Sequence, residues 1–156
     1  MERISLDHPE VVRRALERIR AGDVIVVPTD TVYGLVVDAT NTEAIEKVYL
    51  IKARERKKPL GIFVSSREML LKYADIDHEL CEKLFKFWPG ALTAILSSKK
   101  ILPLSGETIG MRVPDSVFLL SLIEKLGWPL VQTSANISGA GDLAEFRDVV
   151  QNLGSS

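Results

Sequence analysis

The chain has 156 residues, a formal net charge of -1 and one cysteine, so it has the size of a single domain with a substantial core. The near-zero charge argues against broad electrostatic binding to nucleic acid or anionic membrane, and the single cysteine excludes an intramolecular disulfide. The two histidines, His8 and His78, lack zinc-site spacing, and the first residues lack the apolar core of a signal peptide. These features predict a protein of the reducing cytoplasm without a membrane span.

The first predicted elements are a helix and a strand. Asp7 is predicted to cap a helix that runs to Ala21, and Glu10 completes a capping box. The branched apolar run over 24–27 predicts a strand that is buried on both faces. Pro28 ends that strand because proline donates no backbone hydrogen bond.

The polar stretch after this strand is the first candidate for a binding site. Thr29, Asp30 and Thr31 supply two hydroxyls and a carboxylate at a strand's carboxyl end, where open α/β sheets keep their ligand crevice. Tyr33 adds a ring with a polar tip, and Gly34 permits close backbone approach. An ordinary polar turn with no ligand is the competing interpretation.

A second helix and a cationic connection come next. Asn41 is predicted to cap a helix that runs to about Lys52. Residues 52–58, with the sequence Lys-Ala-Arg-Glu-Arg-Lys-Lys, hold five cations, and a strand over 60–64 follows. Such a run is most often a solvated face, but cations on a connection can also converge on a phosphate chain.

The middle of the chain predicts two short helices and a strand. One helix is predicted from the serine pair 65–66 to Tyr73, and another starts after Asp77 and places Cys81 in the core. A proline and a glycine end the second helix, and a strand is predicted over 91–96.

An irregular loop and a strand that carries an arginine near its carboxyl end are predicted next. Residues 97–107 show no regular pattern, which indicates a mobile loop that could act as a lid. The strand over 108–113 places Arg112 near its carboxyl end, where an arginine suits a carboxylate ligand. A surface salt bridge is the alternative for this residue.

The remaining pattern predicts a helix that starts at Asp115 or Ser116, runs to Leu126 and is closed by Gly127, and a buried strand over 129–133. That strand ends in the sequence Thr-Ser-Ala-Asn-Ile-Ser-Gly at 133–139, a second polar turn with hydroxyls, an amide and a glycine. A last amphipathic helix is predicted over 142–153.

Three predicted strand ends therefore carry ligand-type side chains, at Thr31, Arg112 and Ser134. Together with the cations of 52–58 they predict a crevice for a small anionic ligand beside a polyphosphate. The sequence contains no Walker A and no Gly-x-Gly-x-x-Gly motif, and no nucleophile or metal-ligand set stands out. Chemistry at this crevice would depend on placement and electrostatics.

Five segments, taken in order, resemble the YrdC/TsaC family, whose members are threonylcarbamoyl-AMP synthases. They are Pro28-Thr-Asp-Thr-Val-Tyr-Gly-Leu35, Lys52-Ala-Arg54 with Lys58-Pro-Leu60, Phe87-Trp-Pro-Gly-Ala-Leu-Thr93, Gly110-Met-Arg-Val-Pro114 and Thr133-Ser-Ala-Asn-Ile-Ser-Gly139. The resemblance implies the family's α/β fold, a YrdC-like twisted open mixed sheet flanked by helices, as a single domain over 1–156.

The resemblance also implies a reaction in which L-threonine, bicarbonate and ATP, with Mg²⁺ on the phosphates, give threonylcarbamoyl-adenylate and pyrophosphate. It implies threonine-binding roles for Thr31, Phe63 and Arg112. It implies ATP-binding roles for a larger set: Lys52, Arg54, Lys58, Thr108, Ser134 and Asn136. No catalytic side chain is implied, because a carbamate that attacks the α-phosphorus needs no protein nucleophile. The implied downstream partners are the proteins that transfer the threonylcarbamoyl group to tRNA.

Family members usually continue with another strand and a Ser-Thr segment, so we expect this chain to lack that C-terminal segment. Two alternative functions remain open. One is a double-stranded RNA or nucleotide-binding module that contacts phosphates, including those of tRNA, through the cations of 52–58. The other is a carbamoyltransferase domain of the kind found in hydrogenase-maturation proteins, although those carry further domains and cysteine pairs.

Overall fold

The computed structural model describes residues 2–136, and all structural statements below concern these residues. Within them, one seven-stranded sheet is packed between helices on both of its faces. The helices are α1 (Val11–Arg20), α2 (Thr42–Ile51), α3 (Arg67–Tyr73), α4 (His78–Leu84) and α5 (Val117–Leu126). The strands are β1 (Ile25–Pro28), β2 (Tyr33–Asp38), β3 (Gly61–Phe63), β4 (Ala74–Asp75), β5 (Ala94–Ser98), β6 (Thr108–Arg112) and β7 (Leu130–Ser134). The helix predicted over 142–153 lies outside the described residues.

The sheet is open and mixed, which confirms the predicted fold class. Its strand order is β1-β2-β7-β3-β6-β5-β4. Strands β3 and β6 run parallel, and the other neighbouring pairs are antiparallel. The parallel pair lies next to the middle of the sheet, so both faces of these strands can be covered.

Helices cover the two faces of the sheet unequally. Alternate residues of a strand point to opposite faces. On one face Val37, Ile62 and Met111 pack in the same core as side chains of α2, α3 and α4. On the other face Val36 and Phe63 pack with α1 and α5. The sheet therefore has two separate apolar layers.

The sequence correctly predicts the caps of four helices. The side chains of Asn41, Ser66, Asp77 and Ser116 each accept a hydrogen bond from a backbone amide in the first turn of α2, α3, α4 and α5. Gly127 ends α5 with a φ of 88°, a conformation that glycine adopts without a steric penalty. The predictions for these four helix starts and for this helix end are confirmed.

The predicted start of the first helix is wrong. Helix α1 begins at Val11, and Asp7 does not cap it. The reason is a separate turn before the helix, in which the Asp7 amide donates to the Ser5 hydroxyl. The Glu10 carboxylate binds Arg13 instead of completing a capping box.

Two strand predictions also need correction. Strand β1 is not buried on both faces, because it lies at the edge of the sheet and only Val27 among its residues is buried. Strand β5 begins at Ala94 and not at residue 91. The preceding residues are held in a turn, where the Trp88 indole N–H donates to the Leu92 carbonyl at 2.7 Å.

The connection from β5 to β6 is irregular, as predicted. Lys99 anchors its start, since its amide donates to the Tyr73 carbonyl and its ammonium donates to the Leu71 carbonyl. Leu102 is buried in the core layer beneath α2, α3 and α4. A lid function for this connection stays a prediction. Cys81 is buried, which confirms its prediction as a core thiol.

None of the helices in the described stretch combines the length and the apolar character that crossing a membrane requires.

Candidate functional site

The site begins at the turn that joins β1 to β2. The Thr29 hydroxyl organises this turn, because it accepts a hydrogen bond from the Thr31 amide at 3.1 Å and donates one to the Val32 carbonyl at 2.7 Å. It also lies 3.0 Å from the Thr31 hydroxyl. These local bonds hold residues 29–32 in one conformation and direct Asp30 and Thr31 toward Arg112.

Arg112 is the buried centre of the first cluster, with only 7% of its side chain exposed. Its Nε donates to the Gly90 carbonyl at 2.8 Å, and its Nη1 donates to the Thr31 hydroxyl at 3.3 Å. Its Nη2 lies 2.5 Å from Asp30 Oδ1, and its guanidinium carbon lies 5.8 Å from the centre of the Phe63 ring. The structure thus brings together Thr31, Phe63 and Arg112, the three residues assigned to threonine.

Asp30 is the counter-ion that the sequence interpretation did not assign. Burial alone would raise the pKa of the Asp30 carboxyl. The hydrogen bonds donated by Arg112 and by the Asp115 amide outweigh that effect, and the pKa lies below its ordinary value. The ion pair is therefore charged. Arg112 is buried and the Asp30 side chain is 13% exposed, so the pair lies at the edge of the interior and is not the fully solvated salt bridge considered for Arg112. The sequence contained two signals for this pair, an arginine suited to a carboxylate and a carboxylate in the turn. Taken together, they could have predicted the contact.

Lys52 is the centre of a second cluster. Its side chain is buried, and the whole residue is 1% exposed. Its ammonium donates to the backbone carbonyl of Asn136 at 2.7 Å, to the side-chain oxygen of Asn136 at 2.9 Å, and to the Ser134 carbonyl. The Ser134 hydroxyl donates to the same Asn136 oxygen at 2.7 Å. Three of the residues assigned to ATP are thus in mutual contact, and the lysine holds the turn that carries the other two.

The cations of 52–58 do not form one charged face. Lys52 is buried, and the Arg54 guanidinium donates to the carbonyls of Lys58 and Pro59, each at 3.0 Å. Arg56 pairs with Glu46. Lys57 and Lys58 are exposed. This arrangement weakens the alternative of an RNA-binding patch.

A cavity of about 400 Å³ opens on the sheet next to these clusters. Three residues assigned to ATP line it: Arg54, Thr108 and Ser134. The rest of its lining consists of Pro59, Leu60, Gly61, Thr93, Ile95, Gly110, Gln132 and Thr133. Lys52, Lys58 and Asn136 are not part of its wall.

A larger cavity, of about 1300 Å³, lies elsewhere, between the N-terminal segment, α1 and the edge strand β1. It contains none of the residues assigned to threonine or ATP, and its walls are mostly apolar. We regard the smaller cavity as the candidate site, because it holds the polar groups that converge from several strands.

The first cluster and the smaller cavity share one face of the sheet. Along β6, Thr108, Gly110 and Arg112 are alternate residues and so point to the same side. Thr108 and Gly110 line the cavity. Arg112 lies two residues further along the strand, about 7 Å from Gly110. Arg112 and Thr31 do not line the cavity themselves but lie at its end. The arrangement offers an anion-binding guanidinium next to a polar compartment large enough for part of a nucleotide.

Gln132 was not singled out from the sequence, although it lies in the cavity wall. It precedes Ser134 by two residues on β7, so strand alternation places both on one face. That period-two spacing is the signal that could have found it. Among residues 2–136, no group of three or more His, Cys, Asp or Glu side chains is arranged to hold a metal ion.

Known proteins resemble this chain in sequence and in fold. The model of the Sua5/YciO/YrdC family, described as "Telomere recombination", matches residues 17–156. A Mus musculus protein named threonylcarbamoyl-AMP synthase is 35% identical over 92% of this chain and 54% of its own length. A Methanocaldococcus jannaschii protein named putative threonylcarbamoyl-AMP synthase is 39% identical over 85% of this chain and 64% of its own.

Among solved structures, P. abyssi Sua5 complexed with L-threonine matches with a TM-score of 0.86 and 33% identity. The match covers 97% of this chain and 45% of the Sua5 chain. The present chain spans about half the length of the curated relatives it matches, for example 54% of the mouse protein.

Proposed function

The chain belongs to the Sua5/YciO/YrdC family, and from that premise we propose that it forms threonylcarbamoyl-adenylate and pyrophosphate from L-threonine, bicarbonate and ATP. Its relatives include proteins named threonylcarbamoyl-AMP synthase, and one similar structure is a complex with L-threonine. The observation that carries the proposal is the buried Arg112 guanidinium at the end of a polar cavity on the same sheet face. The product would pass to proteins that modify tRNA, and the cytoplasm is the compartment we expect.

Threonine binds at the Arg112 end in this proposal. The guanidinium is oriented by the Gly90 carbonyl and by Asp30, so it meets an incoming carboxylate without reorganisation. The Thr31 hydroxyl, 3.3 Å from Nη1, adds a second polar contact beside that carboxylate. The Phe63 ring, which is 1% exposed, packs beside the guanidinium from the core side and helps to hold it in place for threonine.

ATP occupies the cavity. Arg54 lies in its wall and offers a guanidinium to the phosphates, while Thr108 and Ser134 offer hydroxyls. Lys52 and Asn136 support this wall by holding the turn at Ser134. Mg²⁺ enters as part of the Mg·ATP substrate, since it is commonly bound through substrate phosphates and retained waters.

The reaction then needs alignment more than side-chain chemistry. The threonine amine and bicarbonate form a carbamate with loss of water, and a carbamate oxygen attacks the α-phosphorus. One phosphorus–oxygen bond forms, the bond to the β-phosphate oxygen breaks, and pyrophosphate leaves. Well-oriented intramolecular reactions reach effective molarities of roughly 10⁵ M or more, so holding the two substrates side by side supplies much of the rate.

Pyrophosphate release tests the proposal directly. We expect the chain, incubated with Mg·ATP, bicarbonate and threonine, to release pyrophosphate, and to release much less when threonine is omitted. Arg112→Lys keeps the charge but loses the two-pronged guanidinium, so it should raise the threonine concentration needed for half-maximal rate by at least about tenfold. Arg13→Lys, an exposed arginine on α1, is the matched control and should behave like the unaltered chain. Threonine-independent pyrophosphate release by both proteins would contradict the proposal.

A further inference from the structure

The segment over 85–93, which joins α4 to β5, is bonded to the end of β6 through a single glycine. The Gly90 amide donates to the Val113 carbonyl at 2.9 Å, and the Gly90 carbonyl accepts the hydrogen bond of Arg112 Nε at 2.8 Å. Arg112 is the last residue of β6, and Val113 follows it. One residue of this segment therefore contacts both the backbone and the guanidinium at the same strand end.

Trp88 fixes this segment to the core. The residue is 5% exposed, and its ring meets the Phe85 ring edge-on with 5.6 Å between the ring centres. Its indole N–H donates to the Leu92 carbonyl at 2.7 Å, so the chain from Trp88 to Leu92 is closed into a loop. Gly90 lies midway in that loop. The position of the Gly90 carbonyl therefore depends on the loop that the indole closes.

The loop has no room for a side chain at Gly90. A Cβ there would lie 2.5 Å from the Phe87 carbonyl oxygen, a backbone atom that can move only if the loop itself changes shape. The close approach at Gly90 and the indole hydrogen bond thus favour one shape of the loop. A loop of fixed shape presents its carbonyl to Arg112 in one direction.

The hydrogen bond from Nε decides how the guanidinium is oriented. A guanidinium is planar and its N–H donors have fixed directions, so a bond at Nε restricts rotation of the whole group. The Arg112 side chain is only 7% exposed, and a buried donor without a partner would be costly. With Nε bonded to Gly90, Nη1 lies 3.3 Å from the Thr31 hydroxyl.

We propose that Trp88 is a positioning residue for threonine binding, because its indole N–H closes the loop whose Gly90 carbonyl orients the Arg112 guanidinium. The inference rests on the proposed function, since it takes Arg112 as the group that binds the threonine carboxylate. Trp88 does not line the cavity, so it acts through Gly90 and Arg112.

Calorimetric titration of L-threonine and of AMP into the unaltered chain and into Trp88→Phe tests this role. Phenylalanine keeps an aromatic ring but loses the N–H, so the dissociation constant of threonine should rise at least about threefold while that of AMP stays unchanged. Gly90→Ala should raise the threonine constant at least about tenfold, because it displaces the acceptor of a charged donor. Trp128→Phe alters the other tryptophan of the chain, which lies outside this segment, and is the matched control.

Hydrogen exchange of the Arg112 Nε–H, followed by nuclear magnetic resonance, tests the same contact without substrate. The signal is identified by its absence from the spectrum of Arg112→Lys. Its exchange should be at least about tenfold faster in Trp88→Phe than in the unaltered chain and unchanged in Trp128→Phe. The backbone amides of β6 are the internal reference, because a general loss of stability would accelerate their exchange as well.

A double variant tests whether Trp88 acts through Arg112. In the Arg112→Lys background, Trp88→Phe should cause no further loss of threonine affinity, because lysine has no Nε to donate to the Gly90 carbonyl. Unchanged threonine affinity in Trp88→Phe and Gly90→Ala would overturn the inference, as would unchanged Nε–H exchange or an equal loss of AMP affinity. If the unaltered chain binds no threonine, the proposed function fails, and the exchange measurement alone decides whether Trp88 orients Arg112.

Discussion

At the scale of single residues, the ion pair of the buried Arg112 with the partly buried Asp30 side chain is the most consequential contact of the site. Asp30 holds the guanidinium of Arg112 in place from one side, and the Nη1 of Arg112 lies beside the Thr31 hydroxyl. Burying the pair costs desolvation, so its value lies more in orientation than in net stability. Removing one partner is a different matter, because it leaves the other charge buried without compensation.

Asp30→Asn should therefore lower the free energy of unfolding by roughly 1.5–3 kcal/mol at neutral pH. The pKa of Asp30 is lowered in the folded protein, so its contribution is present above the ordinary carboxyl value of 3.8 and is lost as pH falls through the lower folded-state value. Urea unfolding of both proteins from pH 7 to pH 3 measures this difference, which should shrink at the acidic end. Asp7→Asn, in the exposed turn before α1, is the control. If the difference in free energy of unfolding stays constant across this pH range, the titration of Asp30 does not contribute to stability.

At the scale of elements, Lys52 connects the end of α2 to the turn after β7. It follows the last residue of α2, and its ammonium bonds reach Ser134 and Asn136. Lysine is rarely buried unless its charge is bonded, and here backbone and side-chain oxygens surround it. The helix end and the polar turn are thus held as one unit, which places Ser134 in the cavity wall.

Lys52→Met should lower the free energy of unfolding by roughly 1.5–3 kcal/mol, because methionine fills the space but leaves the three oxygens without their charged donor. It should also weaken AMP binding, since the turn that carries Ser134 loses its tie. Denaturant unfolding and titration calorimetry measure the two effects. Lys57→Met, an exposed neighbour in the same segment, should change neither. Equal stability of the two variants would mean that the buried ammonium does not hold the turn.

At the scale of the whole molecule, the site arises from the order of the strands. Strands β3, β6 and β7 lie side by side although 61–63, 108–112 and 130–134 are far apart in the chain. Alternation then turns Gly61, Gly110 and Gln132 to one face, while the opposite face stays packed against α2, α3 and α4. The face left open between the helices becomes the cavity.

Gly110→Ala tests the role of this open face without disturbing the packing. A Cβ there would lie 3.5 Å from a methyl carbon of Thr93 and 3.8 Å from the Gly61 backbone, which are ordinary contacts. We expect the unfolding midpoint to stay nearly unchanged while AMP affinity falls roughly tenfold, or about 1.4 kcal/mol, because the methyl group fills the cavity floor. Gly106→Ala, in the exposed β5–β6 connection, should leave both quantities unchanged. Unaltered AMP affinity in Gly110→Ala would contradict placement of the nucleotide on this face.

The sequence by itself determined the features that depend on near neighbours along the chain. Asn41, Ser66, Asp77 and Ser116 cap helices because a side chain at the N-cap reaches an amide three residues later, whatever the rest of the fold does. The five motif segments also predicted the family, and with it the open mixed sheet. These signals need no knowledge of which strands become neighbours.

Only the tertiary structure decided burial and pairing between distant segments. The apolar run of β1 reads like a central strand, yet it lies at the edge because its second side meets no partner strand among the described residues. Lys52 reads like a solvated cation, yet it is buried because a turn more than eighty residues later surrounds its ammonium with oxygens. Asp30 became the counter-ion of Arg112 in the same way. The physical reason is that the energy of an apolar or charged group depends on what the fold places around it, and chain-local patterns do not contain that information.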